Sequence, residues 1–180
     1  MKIETIVWLL PVVFMIHDFE EIIMIPLWLE KNREEVLSRF PKLGNRMLAQ
    51  FGKLSGTGFT VAVLEEFVFI SLLTLLAAEN SWYNLWTGLM LVFFLHLFLH
   101  VGQFLVFRKY IPAIVTSVLS MIYCLYALNF MVVHKLIFWP DVMKWFVIFL
   151  ILVALNLMIA HRLGAHLNQV LVRNRKKNKK

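Results

Sequence analysis

Residues 14–23 read FMIHDFEEII, which places His17, Asp18, Glu20 and Glu21 within five positions of an otherwise apolar run. A helix turns about 100° per residue, so His17, Glu20 and Glu21 share one face, with Asp18 on its flank. Further along, His96 and His100 stand four apart with Gln103 on the same stripe, and Glu65 and Glu66 are adjacent. An i, i+4 histidine pair is how one helix offers two imidazoles to a single metal ion. Imidazole and carboxylate together suit zinc, iron or manganese. The expected metal ligands are therefore His17, Glu21, Glu65, His96 and His100, enough for one ion or two. Zinc is the first expectation and iron or manganese the alternatives. Glu20 and Glu66 are the carboxylates expected to carry protons beside the ion. Asp18, Gln103, Thr116, Ser120 and Asn156 are expected to support the ligands by hydrogen bonding. His134, His161 and His166 fall at the ends of apolar segments or beyond them and are left outside the site.

Such a set needs elements that bring distant residues to one level. Of the 180 residues, 61% are hydrophobic, and the mean hydropathy is +0.76. A soluble domain is nearer half apolar. Five segments, about 3–29, 59–78, 82–107, 111–133 and 142–163, reach the roughly 20 apolar residues a membrane span needs. The expected fold is all-α, a single polytopic transmembrane bundle over residues 1–163. Five of the eleven acidic residues, Asp18, Glu20, Glu21, Glu65 and Glu66, lie deep inside these segments, and no Lys or Arg does. A charge at mid-bilayer costs about 2.5–3.5 kcal/mol on insertion scales, so these acids call for protonation, hydration or a bound cation. Counted from one side, the acids and histidines of the first three segments lie roughly 10–18 Å deep.

With the N-terminus outside, 15 of the 18 Lys and Arg residues fall on the cytoplasmic side, a strong positive-inside bias. Trp8, Trp82, Trp86, Trp139 and Trp145 then lie near the outer interface and Trp28 near the inner one, as aromatic belts do. Residues 31–57 form the expected cytoplasmic loop. There Phe40, Leu43, Met47, Leu48, Phe51 and Leu54 recur at the spacing of an interfacial amphipathic helix. Residues 164–180 form a basic cytoplasmic tail, suited to anionic head groups, and nothing points to nucleic acid. The first segment is too long and too charged for a cleaved signal peptide. The single Cys124, inside the fourth segment, excludes a disulfide framework and a cysteine metal motif.

The stretch from His17 to Glu21, near the start of a small polytopic chain, resembles the signature of the HXXEE family of uncharacterised membrane proteins. The resemblance implies an invariant His and two invariant Glu, which map onto His17, Glu20 and Glu21. It extends to the acid of the second segment (Glu65 or Glu66), to His96 and His100, and to Tyr110-Ile111-Pro112 followed by Thr116. In the family pattern a Gly commonly follows that Pro, and here Ala113 stands instead. The resemblance implies an enzyme without supplying a reaction.

The residues favour a metal-dependent membrane enzyme, a hydrolase acting on a lipid or another amphipathic molecule reached from the cytoplasmic leaflet of the plasma membrane. A di-iron oxidase or desaturase is the variant favoured by the carboxylates, though the histidines are few and no electron-carrier motif is present. A proton- or ion-coupled transporter would use the same Glu and His residues. The odd number of segments, the lack of an internal repeat and the one-sided polar cluster speak against it. A structural or signalling protein whose polar cluster only fixes packing is the third class.

Overall fold

In a computed structural model of the chain, residues 1–42, 44, 45, 48 and 56–177 are described. Five long helices dominate, and no strand occurs among the described residues. They are α1 (Ile3–Arg39), α2 (Gly56–Asn80), α3 (Tyr83–Phe107), α4 (Ile114–Val133) and α5 (Trp139–Lys177). Four of them contain stretches long and apolar enough to cross a membrane: Gly58–Asn80, Tyr83–Phe107, Ile114–Val133 and Trp139–Asn156, with mean hydropathies of 2.1, 2.1, 1.7 and 1.6. The helix α1 is not among them, because Asp18, Glu20 and Glu21 interrupt its apolar run.

Two elements run further than the sequence suggests. The helix α1 continues past Leu29 to Arg39. Its added turns are rich in Glu, Lys and Arg, which favour helix, and Arg39 pairs with Glu35 at 3.1 Å one turn back. Lys109 reaches the same carboxylate at 2.6 Å. The hydrogen bonds from Lys109 and Arg39 hold Glu35 below the usual carboxylate range. The backbone of α5 likewise stays helical into the expected tail, to Lys177. Of the expected interfacial helix, Leu43, Met47, Phe51 and Leu54 lie outside the described residues.

The helices close a ring in the order α1–α2–α5–α3–α4, and α1 touches α3 only sparsely. At the end where α1 begins, the ring is packed solid by buried Ile6, Val7, Trp86 and Met90. The helices α3 and α5 pack closely at Gly88, where a Cβ would lie 2.7 Å from Trp145 Cβ and 2.9 Å from the Phe146 backbone nitrogen. Small residues permit such contacts between membrane helices. Towards the other end the ring opens around a cavity of about 400 Å³ lined by α1, α2, α3 and α5.

The turn from α3 to α4 reverses the chain in six residues, Arg108–Ala113. Arg108 ends α3 in the left-handed region (φ 53°), and Ala113 opens α4 there too (φ 65°). Side chains bear a cost in that region that glycine escapes. Ala113 holds the position where the HXXEE resemblance implies a glycine.

Candidate metal centre

The ring brings His17 and Glu21 of α1 face to face with His96 and His100 of α3. One ligand atom from each lies within 4.8 Å of every other. The Nε2 atoms of His17 and His96 are 3.2 Å apart, and those of His100 and His96 are 3.1 Å apart. Glu21 Oε1 stands 2.8, 3.5 and 3.8 Å from the Nε2 atoms of His100, His96 and His17. Four ligands about 2.0–2.1 Å from a zinc ion in tetrahedral array are about 3.3 Å from one another. The five separations straddle that value. Three imidazole nitrogens and one carboxylate oxygen are also a donor set zinc accepts. The local reason is simple: each pair is an i, i+4 repeat, and each helix turns that face to the ring interior.

The ring of His17 is fully buried. It makes T-shaped ring contacts with Phe93, His96 and His100, with centroids 5.0–5.7 Å apart. Its Nδ1 lies 3.2 Å from Thr116 Oγ1 on α4. Thr116 Oγ1 in turn donates to Glu20 Oε2 at 2.7 Å. With its one proton committed to the carboxylate, the hydroxyl is an acceptor for a His17 Nδ1–H. That tautomer leaves the Nε2 lone pair pointing at the other ligands. Partners behind a metal-binding histidine commonly set it this way.

Glu20, expected beside the ion as a proton carrier, has another place. Besides Thr116 Oγ1, its carboxylate accepts the Thr116 backbone N–H at 3.0 Å and the Tyr110 hydroxyl at 2.7 Å. It sits on the first turn of α4, where unpaired N–H groups and the helix dipole favour a negative charge. Tyr110 is pushed up to about 12 by burial and by its bond to Glu20, so it stays a donor. Its backbone carbonyl accepts from Trp28 Nε1 at 2.8 Å, which ties the turn to α1.

The adjacent acids of α2 separate. Glu65 Oε2 accepts from Asn156 Nδ2 at 2.7 Å, which links α2 to α5, and Glu65 lies outside the four-residue group. Glu66 faces the cavity with Asp18, Glu21, His96, His100, Gln103 and Asn156. Asp18 is buried at 4% accessibility. Ser120 is buried on α4 one turn beyond Thr116. His96, 42% accessible, is the most open of the ligands. His100 Nδ1 is buried without a hydrogen-bond partner.

The sequence alone placed none of Tyr110, Trp28 and Phe93 at the site. The first lies in the Tyr110-Ile111-Pro112 stretch, whose signal was present but mute. The other two look like ordinary interfacial and core aromatics until the helices are assembled.

No curated protein and no solved structure matches the chain. A family model described as a protein of unknown function with HXXEE motif matches residues 8–128. His17, Glu20 and Glu21, whose side chains split between the ligand group and the α4 cap, supply the lettered positions of that motif, and the chain belongs to the HXXEE family.

Proposed function

We propose that the chain is a zinc-dependent integral membrane hydrolase acting on a lipid or similarly apolar substrate. The observation that carries the reading is the convergence of His17 with Glu21, His96 and His100, the last three of which line a cavity of about 400 Å³. That volume is within the range of small-molecule sites, which are mostly apolar with a few convergent polar groups. A bound zinc ion brings the pKa of its water toward 7 and polarises a carbonyl. Glu66, on the cavity wall and free of the ligand group, is the residue that takes and returns the proton. Glu20 and Thr116 orient His17. Asp18 adds a carboxylate beside Glu21, and Gln103 and Asn156 offer hydrogen bonds to substrate.

In this reading α1 is a fifth span, with its N-terminus outside and the C-terminal tail in the cytoplasm of a plasma-membrane protein. Support comes from its exposed side chains. Trp8, Val12, Ile16, Phe19, Ile23 and Leu27 are all at least 40% exposed and make one apolar stripe. The stripe is about 28 Å long, close to the hydrocarbon thickness of a bilayer. The acids face inward and the stripe faces lipid. The packed end of the ring argues against a transport path.

The test is metal analysis of protein purified without chelator, alongside Glu21→Gln and His100→Ala. About one zinc per chain in the wild type and its loss in both variants supports the reading. Metal-free wild-type protein sinks it. Iron with visible absorption would instead favour the oxidase, with Asp18 and Glu66 completing a second ion's ligands.

A further inference from the structure

Resting on the hydrolase reading above, we infer that the substrate is a neutral acyl ester or amide whose scissile bond stands between two hydrocarbon arms. The cavity has three layers, which α1, α2 and α3 each trace. At the level of the ligands its wall is polar: Asp18 and Glu21 on α1, Glu66 on α2, His96 and His100 on α3, Asn156 on α5. Toward the end where α1 begins, the same cavity is walled by Leu10, Phe14, Phe69, Leu89, Phe93 and Val153. Toward the other end it is walled by Trp28, Phe40, Phe59, Val63, Phe107 and Ile111.

The layers have measurable depth. On α3, Leu89 precedes His96 by seven residues and Phe107 follows His100 by seven, so about 10 Å of wall flanks the ligands on each side, apolar except for Gln103 one turn past His100. On α2, Phe59 precedes Glu66 by seven residues, which gives the same depth. The apolar compartment beyond the ligands is blind, because Ile6, Val7, Trp86 and Met90 close that end.

A substrate cut next to a charged head group would place its polar part at the mouth and would need no apolar space beyond the ligands. This cavity puts its polar groups halfway along. One arm fills the blind compartment, the carbonyl stops at the ligand level, and the second arm lies along Trp28 and Phe107. A buried anionic group is disfavoured there, because Asp18 and Glu66 already line that level. Hydrolysis balances without a redox partner. Water's hydroxyl goes to the acyl carbon, the carbon–oxygen or carbon–nitrogen bond breaks, and a proton goes to the leaving atom. The blind compartment limits the first arm to about 10 Å.

The test uses the full chain as purified, with zinc measured in the same sample, and a difluoroketone flanked by two alkyl arms with a photoreactive diazirine at the end of one arm. Adducts mapped by mass spectrometry are expected at Leu10, Phe14, Leu89 or Phe93 when the labelled arm is about 10 Å long. They should disappear when that arm is twice as long, with labelling then confined to residues such as Trp28 and Phe107. Leu89→Trp, which fills the blind compartment, should lose the first set of adducts and keep its zinc. If zinc is present but adducts never pass the ligand level, the two-armed substrate is wrong and the metal centre stands. If the protein carries no zinc, both readings fall together.

Discussion

Replacing Thr116 with Val removes one hydroxyl and little volume. That hydroxyl lies 3.2 Å from His17 Nδ1 and 2.7 Å from Glu20 Oε2. His17 is fully buried, so no water replaces the lost acceptor. Loss of a partner behind a metal-binding histidine costs about 10–100-fold in metal affinity, about 1.4–2.7 kcal/mol. With zinc at 100 times the wild-type Kd, binding adds about 2.7 kcal/mol to wild-type stability. A variant binding 30-fold more weakly keeps about 0.9 kcal/mol of that at the same concentration. For a chain of this size 1 kcal/mol moves Tm by about 2–4 °C. Zinc should therefore raise Tm by about 5–11 °C in the wild type and about 2–4 °C in Thr116→Val. The assay is thermal unfolding in detergent with and without zinc, paired with competition against a chromogenic chelator. Thr116→Ser keeps the oxygen and should behave as wild type. An equal zinc increment in Thr116→Val and wild type would refute the argument that Thr116 orients His17.

Acidification should release the metal from the wild type, because imidazole and carboxylate ligands must be deprotonated to bind; zinc retained undiminished well below the imidazole range would argue against a histidine site. Ala113→Gly relieves a residue at φ 65° and should stabilise by about 1 kcal/mol, read as a Tm rise of about 2–4 °C. Gly88→Ala forces a Cβ to 2.7 Å from Trp145 Cβ; overpacking of this kind costs about 1–3 kcal/mol, and an unchanged Tm would mean that α3 and α5 are not so closely packed. Glu66→Gln should abolish ester hydrolysis while leaving zinc content near one per chain; loss of zinc with it would make Glu66 a ligand and not a proton carrier.

The long apolar helices and the pairing of candidate ligands within α1 and within α3 were legible because both depend on short-range periodicity. His17 with Glu21, and His96 with His100, are i, i+4 pairs, and any helix places such pairs on one face. The acids in apolar surroundings marked a level that calls for protonation, hydration or a bound cation. What lay beyond reach was the rotation of each helix about its axis. Glu65 and Glu66 are about 100° apart, and only the packing of α2 between α1 and α5 turns Glu66 to the cavity and Glu65 to Asn156. Glu20 and Glu21 divide in the same way. Spacing put both on the ligand face, yet one carboxylate meets His100 and the other the first turn of α4.

The sequence by itself determined that this chain forms long apolar helices carrying histidines and acids at compatible depths, since composition and periodicity are properties of neighbouring residues. Only the tertiary structure decided which carboxylate joins the imidazoles, which caps a helix and which faces the cavity. Those choices depend on contacts between residues as far apart in the chain as Glu20 and Thr116, and on an order of helices around the ring that no local pattern encodes.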